Sequence, residues 1–125
     1  MDQGPEKKIS ISERLRSFAF AFKGLHYVIR SQHNFLIHLV IAGIVVIAGL
    51  VCRLNTTEWC MIIFAIAMVL SMEVINTAIE KLVDLVSPGY NEQAGMVKDI
   101  AAGAVLIVAI AAIISGIIIF FPKIL

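Results

Sequence analysis

The chain has 125 residues, 60% of them hydrophobic, and a mean hydropathy of +0.96. That is one small domain with more apolar surface than a soluble core of its size can hide, which excludes a water-soluble globule and makes it a membrane protein. A formal net charge of +1, with no basic stripe free of lipid-like neighbours, excludes a nucleic-acid partner.

Residues 1–9 are polar, lack the basic-then-apolar pattern of a cleaved signal peptide, and read as a flexible tail. Ser10, with Glu13 three residues on, predicts a capping box that opens a helix over residues 10–32. Leu15, Phe18, Phe22, Leu25 and Ile29 line one side of it, and Arg16, Lys23 and Arg30 another. That is the pattern of an amphipathic surface helix with its apolar side in the acyl boundary, and packing of the same side on the bundle is equally open.

Residues 35–51 are apolar except for His38 and suffice for a first membrane span. Cys52 to Glu58 make a short polar turn, and Trp59, an interfacial aromatic, begins a second span over residues 59–86. Ser87-Pro88-Gly89 breaks that helix, Tyr90 to Lys98 read as a polar connector, and a third span covers residues 100–121, closed by Pro122-Lys123. Its small residues Ala101, Ala102, Gly103, Ala104, Ala112 and Gly116 permit close approach of another helix. Cys52 and Cys60 have no zinc or redox spacing and read as small apolar fillers. The expected fold is all-α: an N-terminal amphipathic surface helix plus three transmembrane helices per subunit, in a single domain over residues 1–125.

Orientation follows from the cations. Lys7, Lys8, Arg14, Arg16, Lys23 and Arg30 precede the first span and Lys81 and Lys98 flank the connector, against Arg53 and Lys123 on the other side. The N-terminus and connector are therefore expected in the cytoplasm and the C-terminus outside, in a bacterial inner membrane.

Chemistry concentrates at the end of the second span. At about 100° per residue, Glu73, Asn76, Thr77, Glu80 and Asp84 share an arc of about 100° on one helix face. A charge at the centre of a membrane helix costs roughly 2.5–3.5 kcal/mol, so acids on such a face point to use. With about 1.5 Å of rise per residue from Trp59, Glu73 lies roughly 21 Å into a hydrocarbon layer about 30 Å thick, and Glu80 about 10 Å further on, at the cytoplasmic surface. One carboxylate meets lipid headgroups and the other meets cytosol. The first can take a proton from a lipid hydroxyl, and the second can hold Mg²⁺ together with phosphate oxygens, with Lys98 neutralising phosphate. The chain has no GxxxxGK[ST] loop and no glycine-rich kinase loop. From the residues alone the reading stops at an intramembrane carboxylate site facing the cytoplasm. A proton or ion carrier, or a partner-binding subunit, would also place Glu and Asn in an oligomeric bundle. His26 and His33 read as interfacial residues, His38 as a satisfied polar contact, and Lys98-Asp99 by themselves as an ordinary helix start.

The stretch Glu73-Val74-Ile75-Asn76-Thr77-Ala78-Ile79-Glu80 with Val83-Asp84, and Lys98-Asp99-Ile100-Ala101-Ala102-Gly103-Ala104-Val105-Leu106, resemble the signature of the small prokaryotic diacylglycerol kinase and undecaprenol kinase family. The resemblance runs from Ser12 to about Phe121. It implies a homotrimer of three-span subunits that uses Mg·ATP to phosphorylate a lipid hydroxyl, of diacylglycerol or of undecaprenol. It further implies Glu73 as general base, Asn76 as a polar group beside the reacting centre, Glu80 as a metal ligand, and Lys98 with Asp99 as part of the nucleotide site. Tyr90 and Asn91 fall where the family's connector meets nucleotide. Two positions depart from the pattern. Gln32 stands where one member of the family carries a second metal-binding Glu, so the site keeps an amide oxygen and loses a charge. Phe20 stands where it carries a Tyr on the nucleotide, keeping a stacking face and losing a hydroxyl. The segment Gln32 to His38 is similar to the undecaprenol kinase branch.

Overall fold

The computed structural model describes Gly4 and residues 10–125, so the tail expected over residues 1–9 lies, apart from Gly4, outside the described residues. The described residues form helices α1 (Ile11–Ser31), α2 (His33–Val51), α3 (Thr56–Val86) and α4 (Glu92–Ile124), with no strand among them. Three of these, α2, α3 and α4, are long and apolar enough to cross a membrane. α3 packs along α4 and against α2, and α1 touches α2 and α3. The expected all-α, three-span architecture is the one observed.

Helix ends follow local chemistry. Ser10 accepts from the Glu13 N–H at 3.5 Å, while its hydroxyl also meets that of Ser12 at 2.8 Å. The reciprocal capping box occurs instead at Asn55 and Glu58: Asn55 Oδ1 accepts from the Glu58 N–H at 2.9 Å, and Glu58 Oε1 accepts from the Asn55 N–H at 3.1 Å. α3 accordingly starts at Thr56, within the segment expected as a turn. α4 likewise starts at Glu92, so most of the expected connector Tyr90 to Lys98 is helix. Asn91 caps it, with Oδ1 accepting from the N–H groups of Gln93 and Ala94 at 2.9 and 3.2 Å. At the far end the helix passes Pro122 and stops at Ile124, one turn later than expected.

Between α2 and α3 the chain turns through a Schellman motif. Leu54 N–H donates to Gly49 O at 3.2 Å and Arg53 N–H to Leu50 O at 3.4 Å, with Arg53 in the left-handed region at φ 53°. This turn seeds the tightest packing in the chain, where Leu54, Ile62 and Ile119 are buried and Val45, Cys52, Trp59, Ile66 and Phe120 pack around them. Cys52 fills this core as expected, whereas Cys60 is exposed and fills nothing within the subunit. Leu15, Phe18 and Phe22 of α1 are exposed, and Val28 is its one buried residue. The apolar side of α1 is therefore left for lipid or another chain rather than spent on its own bundle.

The α1–α2 junction is a single residue. Gln32 is extended at φ −118°, ψ 109°, yet its N–H donates to Val28 O at 2.9 Å and its carbonyl accepts from Leu36 N–H at 3.3 Å. The chain changes direction without a loop, and the Gln32 backbone N–H and carbonyl are both hydrogen-bonded.

Candidate active site

Antiparallel packing of α2 on α3 sets the register of the site. Val45 and Ile66 meet at the core cluster, and toward the other end His38 of α2 meets Glu73 of α3, its Nε2 3.2 Å from Glu73 Oε1. Further along, the Lys81 ammonium lies 4.9 Å from the centroid of the Tyr27 ring on α1. Gln32 lies between Tyr27 and His38 in sequence, at the junction of the two helices that meet α3 at Lys81 and Glu73.

Glu73 is buried, at 5% exposure, the deepest of the acids in the described chain. Thr77 is buried beside it, but its hydroxyl donates back to Glu73 O at 2.9 Å, which uses its proton within the helix. One turn on, Asn76 Nδ2 donates to Glu80 Oε1 at 3.2 Å, and Asn76 Oδ1 is buried with no hydrogen-bond partner. A buried carbonyl oxygen without a donor costs on the order of 1–3 kcal/mol, so this atom is one a ligand would satisfy. Asn76, Glu80 and Glu73 are therefore brought together on one face, as the helical spacing requires.

Other expected site residues are placed differently. Lys98 Nζ lies 2.6 Å from Asp84 Oδ1, so the lysine assigned to phosphate is held in an exposed α3–α4 ion pair. Such a pair contributes at most about 1 kcal/mol and is readily exchanged for a stronger anion. Asp99 is exposed one residue on, on the second turn of α4. Asn91 spends its side-chain oxygen on the α4 cap. Tyr90 is fully exposed beside it, and Phe20 is exposed on α1. None of these residues forms a hydrogen bond or ion pair with Glu73, and of them Lys98 alone is paired with α3.

No group of three His, Cys, Asp or Glu side chains among the described residues could hold a metal alone. Two oxygen donors on α3 fit a hard cation, the half-buried Glu80 carboxylate and the orphaned Asn76 Oδ1, and the Gln32 amide is a further oxygen donor at the α1–α2 junction. The feature that the sequence reading passed over is the His38–Glu73 pair. His38 lies about 20 Å before the end of α2 and Glu73 about 26 Å after the start of α3 at 1.5 Å per residue, an offset of one turn that spacing alone does not state.

A buried carboxylate paired across two membrane helices, one turn from an orphaned carbonyl oxygen and two turns from a second carboxylate, concentrates polar chemistry inside an apolar bundle. Comparison with known sequences supplies the rest. The profile of the prokaryotic diacylglycerol kinase family matches residues 19–120, and the chain belongs to that family. It is 39% identical over 108 residues to an undecaprenol kinase of Bacillus subtilis, covering 86% of this chain and 88% of that one. It is 38% identical over 112 residues to a diacylglycerol kinase of Synechocystis, covering 89% of this chain and 64% of that one. A diacylglycerol kinase of Escherichia coli is 27% identical over 101 residues, covering 81% and 83%. The chain is a membrane lipid kinase, and ATP is the phosphate donor that such an enzyme implies.

Proposed function

We propose that the whole chain acts as one catalytic domain that transfers the γ-phosphate of Mg·ATP to the hydroxyl of a lipid alcohol at the cytoplasmic membrane surface. Undecaprenol, giving undecaprenyl phosphate, is the favoured acceptor and diacylglycerol, giving phosphatidic acid, the second. The Gln32 to His38 segment supports that order, as does a named undecaprenol kinase that matches over most of both lengths. The greasy faces that receive lipid tails discriminate little between the two.

The observation that carries the reading is Glu73, a buried acid at headgroup depth whose side chain meets His38. Glu73 takes the proton of the lipid hydroxyl as that oxygen bonds to the γ-phosphorus and the bond to the ADP oxygen breaks. Asn76 orients the Glu80 carboxylate through its Nδ2 and offers Oδ1 to the site. Glu80, Asn76 and Gln32 would hold Mg²⁺, which when bound neutralises phosphate charge. Lys98 exchanges Asp84 for phosphate, Asp99, Tyr90 and Asn91 border the nucleotide, and Phe20 offers a ring face to the base.

Assembly and orientation complete the proposal. One subunit presents too few donors and acids to enclose Mg·ATP. Between α3 and α4 it also leaves a groove lined by Met61, Phe64, Ala65, Ala111, Ala112 and Ser115, narrow enough for another helix. A homotrimer supplies both needs. Cation placement sets the N-terminus and the α3–α4 connector in the cytoplasm and the C-terminus outside.

Glu73→Gln tests the chemistry. It keeps the shape and cannot accept the proton, so kcat should fall about 10²- to 10⁴-fold with ATP binding little changed. Phosphorylation of undecaprenol and diacylglycerol is measured beside ATP binding in the same bilayer. Parental turnover removes Glu73 as base, and equal loss of nucleotide binding moves it into the ATP site.

A further inference from the structure

We infer that His38 is the positioning residue for Glu73, holding one carboxylate oxygen so that the other faces the lipid hydroxyl. The inference rests on Glu73 being the base and adds a residue on a different helix to the reaction. Three observations support it. His38 Nε2 is 3.2 Å from Glu73 Oε1, and among the described residues the imidazole is the one charged or hydrogen-bonding side chain paired with that carboxylate. Thr77 is already committed to the Glu73 backbone carbonyl and Asn76 to Glu80, so neither competes for the carboxylate. From α4, the side chains that reach the groove shared with His38 are Ala109, Ala112, Ile113 and Gly116, which bring no donor. Tyr27 on α1 is engaged with Lys81 and Lys98 on α4 with Asp84.

A carboxylate with two equivalent oxygens in an apolar wall rotates about its terminal bond and presents either one. Fixing one oxygen on an imidazole N–H removes that freedom, as the orienting member does in nucleophile–base–orienter arrangements. At 3.2 Å, Nε2 and Oε1 are within hydrogen-bond reach without being aligned as a formed hydrogen bond, a geometry that can tighten when substrate arrives. His38 closes one end of a groove of about 180 Å³ whose other walls are Ile41, Ala42, Val45, Ile62 and Val69 among further apolar side chains. The imidazole is therefore pressed toward its one polar neighbour, Glu73, by surroundings that offer it nothing else.

The test is a double-mutant cycle on the full chain in bilayers, reading lipid phosphorylation with labelled ATP. His38→Leu should lower kcat by about tenfold to 100-fold, the worth of a hydrogen bond to a charged group, with the KM for ATP within about twofold. His38→Gln, which keeps an N–H donor at similar reach, should recover part of the loss, and the unchanged ATP KM reports an intact fold. In the Glu73→Gln background, His38→Leu should cost nothing further, because there is no base left to orient. Losses that multiply in the double variant, a defect confined to the ATP KM, or parental turnover in His38→Leu each overturn the positioning role while leaving Glu73 as base. Parental turnover in Glu73→Gln overturns the base, and the positioning role with it.

Discussion

Gly49 is where α2, the Schellman turn and α3 come closest, and Gly49→Ala puts two effects in competition. A methyl built there would sit 2.7 Å from Trp59 Cη2, 3.1 Å from Cζ2 and 3.0 Å from Leu54 Cδ1. Carbon atoms in contact prefer about 3.5–4.0 Å, so the indole must retreat by nearly 1 Å. It moves as a rigid plate, and behind it stand Ile62 and Ile119, both buried. Overpacking of this kind costs about 1–3 kcal/mol, while replacing glycine by alanine inside a helix returns about 0.8–1.0 kcal/mol. The net expectation is a loss of about 0–2 kcal/mol, centred near 1. Gly43→Ala, on the same helix with nothing within 4 Å, gains the helix term without the clash. Thermal inactivation and denaturant titration in mixed micelles should rank Gly43→Ala above the parent and Gly49→Ala below it. Trp59→Phe, which deletes the two offending ring atoms, should relieve Gly49→Ala specifically. If Gly49→Ala is as stable as Gly43→Ala, the close approach does not limit the hairpin and the reasoning is refuted.

Two further outcomes are expected. Glu80→Ala should shift the Mg²⁺ dependence of activity to higher concentration and lower the maximal rate, while Gln32→Glu, which adds a second carboxylate to the proposed Mg²⁺ ligands, should leave activity equal or better; an unchanged Mg²⁺ titration in Glu80→Ala removes that ligand. Interaction with the Lys81 ammonium holds the Tyr27 phenol below its ordinary value near 10, so in a Tyr90→Phe background the phenolate band should appear at lower pH than in the Lys81→Met variant. Because the folded value is depressed, the associated stability is present above the ordinary phenol value and lost as pH falls through the folded one, leaving no contribution at neutral pH.

The three spans were legible because about 20 consecutive apolar residues admit few alternatives. The polar face of α3 was legible for a similar reason, since helical spacing alone aligns Glu73, Asn76 and Glu80. Polarity misled at the ends. Asn55 to Glu58 and Asn91 to Lys98 read as loops because they are hydrophilic, yet Asn-x-x-Glu is a capping signal and Asn91-Glu92 opens a helix that simply extends beyond lipid. Sequence left Lys98 free for phosphate, whereas Asp84 is its partner in the fold. That pairing depends on how α4 lies against α3, which no local pattern states. The orphaned Asn76 Oδ1 was similarly invisible, because a missing partner exists only once the neighbours are in place.

The α3–α4 pair is clasped at both ends, by Lys98 on Asp84 at one and Lys123 on Glu58 at the other. Along α3 the clasps stand about 39 Å apart at 1.5 Å per residue, close to the roughly 40–45 Å of a bilayer with its interfaces. The antiparallel hairpin therefore works as a caliper. Sliding α4 by one turn, about 5.4 Å, would open both jaws together, so the two weak pairs act as one lock on register. A thicker membrane would draw both pairs toward hydrocarbon and a thinner one would leave apolar turns in water. The sheet of lipid that holds the acceptor is in this way also the gauge that keeps Lys98 level with the carboxylates.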